Sequence, residues 1–483
     1  MALLAIESAA EYDEVVTGWE FHSHKPYASS TLKNNDEIRI PLSQQDIITA
    51  PFETSIHITG KVSAKKADGS EASISLINNA IAFLFDDVRY EIGGIEVDRT
   101  KNVGITSTIK GLLSIRDEEQ KCLVNACWLG PNKTSEAGDF TYSVPLKLLM
   151  GFAEDYKRIV ANVKQELVLL RSTTDINAVI SPDASNLDFQ ITSLEWRVPH
   201  VTVSDSYKLK LLRVIEKDTL IHLPFRSWEL HEYPSLPQTT RQSWTIKTSS
   251  QIEKPRYVVL AFQTGRKNDL RKDASTFDRC TLTNVKLYLN SQYYSYDNVH
   301  GDLCIFYDMY TRFQSSYYQK PGSSLVDFKT FTSHVTLYVI DCSKQNDSIK
   351  SGPVDVRLEF KAKENFPANT AAYCLLLHDS HMAYTVLTGS FAPNFNCITQ
   401  ALETSQRLYI KVDSGEDVRV SNVFGKIHVY VYDGEHSLTL NKTEWVQFVN
   451  NLPSVYIALR DLFSIEVSAK TVVRCLLAGE KED

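Results

Sequence analysis

The chain has 483 residues and a mass of 54.7 kDa, enough for two to four domains of ordinary size. Its composition, 43% hydrophobic and 23% charged, excludes a disordered chain. The net charge of −8, spread along the chain, excludes a surface that neutralises a phosphate backbone over its whole area. No apolar run approaches the roughly 18 residues that span a bilayer, and the N-terminus lacks the basic region of a secretory signal. We therefore expect a protein that is made in the cytosol and has no membrane span.

Predicted strands dominate the chain. Short runs of alternating polarity, rich in β-branched and aromatic residues, are bounded by Gly, Pro, Asn, Asp and Ser. Examples are Ser55–Thr59, Val88–Ile92, Glu166–Leu170 and Val354–Phe360. Helical periodicity is confined to three segments, Thr106–Asp117, Phe152–Val163 and Asp308–Tyr318. This pattern favours antiparallel sandwiches or jelly rolls over alternating βαβ units.

The first half of the sequence is repeated in the second half. Val88–Val97 reads as a strand, a Gly-Gly turn and a second strand, and Val285–Tyr294 reads the same way around an Asn-Ser turn. A predicted helix follows each hairpin, and further strand pairs recur in the same order at a slowly shortening offset. The alternative is that any two strand-rich segments align to this degree, because periodicity alone discriminates weakly.

A repeat of this length predicts a mainly β fold. We expect two tandem eight-stranded jelly rolls with inserted helices, followed by a small C-terminal α+β domain. The predicted parts are an N-terminal arm (1–33), the first jelly roll (34–204), the second jelly roll (205–394) and a β-β-β-β-α module (395–483). The segment Lys208–Ile215 opens the second unit. The short connection before it indicates that the two units pack side by side.

Several blocks in both halves resemble the double jelly-roll major capsid proteins of double-stranded DNA viruses and of the related Polinton or Maverick elements. The resemblance spans roughly residues 34–394, and its strongest block is Val144–Arg171. The other blocks are Asp36–Leu42 with Ile47–Pro51, Ile81–Gly94, Asp308–Phe313 and Val339–Gln345. None of these blocks is catalytic, so the argument for the family depends on their order across both halves.

The resemblance implies a structural protein with no enzymatic activity and no cofactor. In this family two upright jelly rolls occupy one chain, three chains form a pseudohexagonal trimer, and trimers tile an icosahedral capsid. The implied partners are further copies of the chain and a minor capsid or penton protein. The implied location is the virion, after synthesis in the host cytoplasm and with nuclear assembly as one option. The tyrosine-rich segment 293–318 would supply contacts between chains, although each tyrosine is individually more typical of a core or rim.

The C-terminal segment supports a competing hypothesis. Its predicted strands and a helix from about Lys442 to Leu452 resemble the single-stranded-DNA-binding transcriptional coactivator fold. Such binding needs cations along the phosphates and aromatic rings against the bases. The candidate residues are Arg407, Lys411, Arg419, Lys426, Tyr430 and Trp445. The acidic loop Asp433–His436 argues against a continuous positive groove.

Motifs for other chemistry are absent from the sequence. It contains no P-loop, no GxGxxG after a strand, no GxSxG and no HExxH. His22 and His24 lie two residues apart, but without further ligands they make a weak metal site, and we expect no metal ion. A carbohydrate-binding jelly roll is a third class that the sequence leaves open.

Overall fold

The computed structural model describes most of the chain. The described residues are 15–27, 32–42, 47–216, 221–246, 255–290, 292–296, 303–318, 324–344, 355–384 and 391–392, together with five C-terminal strands.

The described residues between 15 and 216 form thirteen strands and five α-helices. The strands are β1 (Val16–His24), β2 (Glu37–Leu42), β3 (Ile48–Thr49), β4 (Ser55–Lys65), β5 (Ser75–Leu76), β6 (Phe85–Ile92), β7 (Ile95–Lys101), β8 (Ser135–Glu136), β9 (Asp139–Pro145), β10 (Val160–Ala161), β11 (Gln165–Arg171), β12 (Val179–Ile180) and β13 (Asn186–Val203). The helices are α1 (Val103–Ser114), α2 (Asp117–Gln120), α3 (Leu146–Leu149), α4 (Gly151–Asp155) and α5 (Asp205–Glu216). The strands form a sheet in the order β10-β3-β13-β4-β9 with β1 also on β13, a sheet β2-β11-β6-β7, and a small sheet β12-β5-β8.

Residues 221–392 repeat this plan. The strands are β14 (Ile221–Tyr233), β15 (Arg241–Ile246), β16 (Pro255–Thr264), β17 (Leu282–Leu289), β18 (Gln292–Tyr296), β19 (Tyr338–Asp341), β20 (Val356–Ala362), β21 (Thr370–Tyr384) and β22 (Phe391–Ala392). The helices are α6 (Leu303–Tyr318) and α7 (Phe328–His334). One sheet has the order β14-β21-β16-β19 with β22 on β21, and the other has the order β15-β20-β17-β18.

The two halves place their predicted hairpins equivalently. Tyr90 on β6 lies between Leu167 on β11 and Asp98 on β7. In the same way Leu287 on β17 lies between Leu358 on β20 and Tyr294 on β18. Gly93 and Gly94 both have positive φ, as the tight turn of the β6-β7 hairpin requires, and Asn290 has a φ of 53° at the corresponding turn. The predicted duplication is therefore present in the pairing of the strands.

The core follows from the alternating pattern of the strands. On β2, for example, Ile38, Ile40 and Leu42 are buried while the residues between them are more exposed. Helix α1 is different, because its side chains from Val103 to Leu113 are all buried. One hydrophobic cluster includes residues of both halves, so the core is continuous across them.

One prediction about local structure is wrong. The predicted helix Phe152–Val163 is shorter, because α4 ends at Asp155 and β10 then pairs with β3. The segment Lys208–Ile215, which is predicted to open the second unit, forms most of helix α5, and the next strand is β14. The Lys-Leu-Lys-Leu-Leu sequence at its start is too short to distinguish the two-residue period of a strand from the 3.6-residue period of a helix.

Within the predicted N-terminal arm, residues 16–24 form β1 and pair with β13 of the same chain. This part of the arm therefore belongs to the sheet of the first half.

The C-terminal segment contains one antiparallel sheet in the order β26-β25-β24-β23-β27. Its strands are β23 (Arg407–Lys411), β24 (Asp417–Val423), β25 (Lys426–Val431), β26 (Ser437–Leu440) and β27 (Arg474–Leu476). The predicted helix from Lys442 to Leu452 lies outside the described residues. The exact boundaries of the four predicted parts stay a prediction.

Candidate functional site at the junction of the two halves

Polar groups connect the two halves of the chain at a junction, and the first part of this junction joins two helices. Tyr310 on α6 donates a hydrogen bond from its hydroxyl to the carbonyl oxygen of Leu112 on α1, at 2.5 Å. Gln314 on α6 donates from Nε2 to the carbonyl oxygen of Ile115, at 3.2 Å. The last carbonyl groups of a helix have no partner within the helix. Side chains of the second half therefore donate hydrogen bonds to the carbonyl groups at the C-terminal end of α1, the buried helix of the first half.

The second part of the junction places α4 directly against β14. A β-carbon on Gly151 would lie 1.9 Å from the carbonyl oxygen of Arg226, so glycine is required at this contact. Phe152 packs edge-on against Phe225, with ring centroids 5.4 Å apart. The segment Met150–Phe152 thus matches the surface of β14 in shape, which fixes the distance between the two halves.

Next to this contact, an ion pair also joins α4 to β14. Asp155 on α4 accepts hydrogen bonds from the backbone nitrogen (2.9 Å) and Nε (2.7 Å) of Arg226, and also pairs with its Nη2. The guanidinium donates from Nη1 to the carbonyl oxygen of Tyr317 and lies 4.0 Å from the centroid of that ring. Burial alone would lower the pKa of Arg226, but the hydrogen bonds and charge of Asp155 outweigh it and raise this pKa. The paired geometry is the kind that guanidinium and carboxylate groups favour.

A buried lysine links four elements at the same place. Lys110 on α1 is 2% exposed, and its Nζ lies 3.0 Å from Oε2 of Glu154 on α4. Its other hydrogen bonds go to the carbonyl oxygens of Lys147 (2.6 Å) and Met150 (3.1 Å). Tyr318 on α6 donates to Oε1 of the same glutamate at 2.8 Å. A buried ammonium group is tolerated only when its donors are satisfied, and here its three contacts are all oxygen atoms.

A buried carboxylate completes the junction. Asp98 on β7 is 4% exposed and accepts hydrogen bonds from the backbone nitrogens of Phe152 (2.8 Å) and Arg99 (2.9 Å). The hydroxyl of Ser227 on β14 lies 3.5 Å from Oδ1 of Asp98, the oxygen that also accepts from Arg99. Burial raises the pKa of Asp98 to about 6, against the opposing effects of the Phe152 hydrogen bond and the charge of Lys110. Protonation of this group therefore occurs under mildly acidic conditions.

A separate contact joins the halves outside this cluster. Asn268 donates from its backbone nitrogen to Oδ1 of Asn177 at 2.7 Å, and Nδ2 of Asn177 donates back to Oδ1 of Asn268 at 3.1 Å. Ser181 donates from its backbone nitrogen to the carbonyl oxygen of Leu270 at 2.8 Å. Because the two halves touch at two separate places, neither half can rotate about one contact without breaking the other. The arrangement is suited to holding two β units in one fixed relative position.

Comparison with known proteins identifies this architecture. The double jelly roll-like domain family matches residues 74–382, more than half of the chain. The chain belongs to this family. No curated protein sequence matches it.

Three solved structures share the double jelly-roll fold with this chain. PBCV-1 VP54, fitted into a reconstruction of the virophage Sputnik, has a TM-score of 0.53 and 12% identity over 80% of this chain and 99% of that chain. A chain of the Sputnik virophage solved by cryo-electron microscopy has a TM-score of 0.56 and 8% identity, covering 81% and 91%. The Faustovirus major capsid protein has a TM-score of 0.51 and 8% identity, covering 77% and 92%. The predicted fold of two tandem jelly rolls is confirmed.

Within the tyrosine-rich segment, Tyr310, Phe313 and Tyr317 are buried on α6, and the first of them contacts α1. These three residues therefore take the alternative place that the sequence left open, in the core and not in loops between chains. Tyr293 is 56% exposed on β18.

Five of the six predicted nucleic-acid-binding residues lie on one side of the C-terminal sheet. Arg419 on β24 lies opposite Tyr409 on β23 and Tyr430 on β25. Because residues two apart on a strand share a side of a sheet, the register assigns Arg407, Lys411 and Lys426 to this same side. The alternate positions are occupied mainly by apolar residues, which are Leu408, Ile410, Val418, Val420, Ile427, Val429 and Leu438. Trp445 lies outside the described residues.

The sequence did not indicate the residues that form the junction. The block Val144–Arg171 resembles the family, but no motif in the sequence indicates a role for Gly151, Asp155 or Lys110. One signal was available, because Lys110 is the lone charge in the segment from Ile105 to Leu113.

No helix in the described part of the chain is long and apolar enough to cross a membrane.

Proposed function

We propose that this protein is a major capsid protein whose two jelly rolls act as one rigid building block. The observation that carries the proposal is the junction, in which the half-buried pair of Arg226 and Asp155 joins the two halves. Beside it the buried Lys110 pairs with Glu154, which also accepts a hydrogen bond from Tyr318 of the second half. A capsid subunit must present several edges to its neighbours in a fixed geometry. A rigid pair of β units meets this requirement, and a pair joined by a flexible linker does not.

We propose further that three copies of the chain form a trimer. Three chains would place six jelly rolls in a pseudohexagonal ring, and such trimers would tile an icosahedral capsid of the virion. The similarity in fold to the Faustovirus major capsid protein supports a place in a capsid. Further partners would be a minor capsid or penton protein at the vertices. Synthesis would occur in the host cytoplasm, with assembly there or in the nucleus, and the role would be structural and not enzymatic.

Light scattering of the purified protein tests the trimer. We expect a mass of three times 54.7 kDa that persists at micromolar concentration. A strictly monomeric mass under these conditions would contradict the proposal. A monomer that still shows the stable junction would indicate a double jelly roll with another role.

A second candidate function is single-stranded DNA binding through the C-terminal sheet. The register supports it, because Arg419 lies between two tyrosines and shares its side of the sheet with other cations. Aromatic and cationic residues on one surface suit the bases and phosphates of a single strand. The acidic loop Asp433–His436 weakens this case.

Titration of the full-length protein with a single-stranded oligonucleotide tests the second function. We expect affinity that falls as the salt concentration rises, and that is reduced by Arg419→Glu and by Trp445→Ala. Lys61→Glu is the matched control, since Lys61 is an exposed cation on β4 of the first jelly roll. Equal loss of affinity in Lys61→Glu, or no binding at low salt, would remove this function.

A further inference from the structure

Three histidines meet where the first strand of the chain joins the first jelly roll. His22 and His24 lie on β1, and His200 lies on β13 opposite Glu20. The rings of His22 and His200 are stacked, with centroids 4.1 Å apart and planes 17° apart. Nε2 of His24 lies 3.3 Å from Nε2 of His200. Two neutral imidazoles at this distance form a hydrogen bond in which one ring donates and the other accepts.

The charged surroundings of this cluster are sparse. The carboxylate of Glu20 on β1 lies 3.4 Å from Nε2 of His22. On the neighbouring strand β3 the residue paired with His200 is Thr49, which is uncharged and bonds to Gln165 and Val160. Glu195 and Arg197 occupy positions of β13 that alternate with Trp196 and therefore lie on the other side of the sheet, where Lys25 contacts Glu195 and the guanidinium of Arg197 lies over Phe21. Among the residues that the structure describes, one carboxylate thus faces the three imidazoles.

Strand β1 is weakly attached compared with the strands around it. Apart from Gly18 and His24, which are half-buried, its residues are exposed, including Trp19 and Phe21. In the described part of the chain β1 pairs with β13 along one edge. Little apolar area would be exposed if β1 separated from β13, so its backbone hydrogen bonds and the histidine contacts hold it in place.

We propose that the histidine cluster is an acid-sensitive latch that holds β1 on β13 at neutral pH and releases it on acidification. When the rings are protonated, neither nitrogen of the His24–His200 pair can accept a hydrogen bond, and stacked cations repel each other. Release frees residues 16–24 and exposes the edge of β13 at residues 196–203. An open strand edge is a template for pairing with another segment or another chain.

The pH range of the latch follows from His200 and His24. Burial, followed by His22 and His24, lowers the pKa of His200 to about 4, while Glu20 opposes this. Burial and His22 also lower the pKa of His24. A released histidine has a pKa near 6.5, so the contribution of these rings is fully present above that pH and is lost as the pH falls toward 4.

A similar pair in the second jelly roll serves as an internal comparison. Strand β13 ends in His-Val-Thr-Val and β21 ends in His-Met-Ala-Tyr. His381 on β21 lies 3.1 Å from His222 on β14, measured between Nε2 and Nδ1. Strand β14, however, is anchored by buried Leu223, Phe225 and Trp228. Acid should therefore release β1 and leave β14 in place.

Hydrogen exchange of the full-length protein at pH 7 and pH 5, corrected for the intrinsic pH dependence of exchange, tests the latch. For His200 alone, the opening equilibrium of residues 16–24 should increase several-fold, and by at most about 20-fold, between these pH values, because solvent screens a partly exposed ring. His200→Gln should remove most of this increase, and His334→Gln, on α7 of the other half, should leave it unchanged. If His200→Gln fails to fold, the pair His22→Gln and His24→Gln should also reduce the increase.

Three outcomes would overturn the proposal. The first is equal protection of residues 16–24 at pH 7 and pH 5. The second is the same acid-induced loss in His200→Gln as in the unmodified protein. The third is an equal loss of protection in β14, which would indicate general unfolding and not local release.

Discussion

Gly151 on α4 lies against the carbonyl oxygen of Arg226 on β14, at a distance that leaves no room for a β-carbon. This contact sets how closely the first jelly roll approaches the second. It is surrounded by the buried groups that join α1, α4, α6 and β14.

Gly151→Ala should destabilise the protein. In an open helical position, alanine in place of glycine would add up to about 1 kcal/mol of stability. Here the added methyl group meets backbone, so we expect a loss of about 1–3 kcal/mol in the free energy of unfolding, measured by chemical denaturation. Lys147→Ala on the exposed side of α3 is the control, with an expected change within about 0.5 kcal/mol. Unchanged or increased stability in Gly151→Ala would show that the halves are not fixed at this contact.

Arg226→Ala should cost more than removal of an exposed ion pair. It leaves Asp155 half-buried without its main partner, for an expected loss of about 2–4 kcal/mol. Arg256→Ala is the matched control, because Arg256 and Asp379 are both about half exposed and such pairs contribute less than about 1 kcal/mol. Denaturation midpoints of the two variants give the comparison. Equal losses would mean that the Arg226–Asp155 pair is no more important than a surface pair.

Tyr310→Phe should weaken the contact between α1 and α6. The variant keeps the ring but leaves the carbonyl oxygen of Leu112 without this hydrogen bond in a buried position. We expect a loss of about 1–3 kcal/mol in thermal or chemical unfolding. Tyr293→Phe changes an exposed tyrosine and should have almost no effect. The prediction fails if the two substitutions are indistinguishable.

Asp98 should make the junction more stable in mild acid. Its pKa is about 6 in the folded protein and 3.8 in the unfolded chain, so the folded state binds more protons between these values. The free energy of unfolding should therefore rise by about 1 kcal/mol from this group as the pH falls from 7 to 5. The difference between the unmodified protein and Asp98→Asn, measured at both pH values, isolates the effect. Parallel pH profiles for the two proteins would contradict it.

The duplication of the β units was predictable because it depends on local signals. Alternating residues define β6 and β17, and the turns at Gly93 and Asn290 define their hairpins, each within a few positions of sequence. The helices at Thr106–Asp117 and Asp308–Tyr318 were also found, although α6 begins five residues earlier, at Leu303. Order along the chain then favoured the double jelly roll.

The junction was not predictable because its partners are distant in sequence. Tyr310 and Leu112 are 198 residues apart, and Arg226 and Asp155 are 71 residues apart. The neighbouring sequence does not distinguish a tyrosine that donates a hydrogen bond to a helix end in its own chain from a tyrosine in a loop between chains. At the end of α4, Asp155 likewise pairs with Arg226 on β14, a partner that the helical pattern continuing to Val163 does not indicate.

Electron microscopy of the purified protein tests the central claim most directly, namely that the two jelly rolls form one rigid subunit of a capsid. We predict threefold particles with six barrels, in which every chain contributes two barrels at the same spacing and angle. Single chains whose two barrels vary in relative orientation would contradict both the rigid junction and the role in building a capsid.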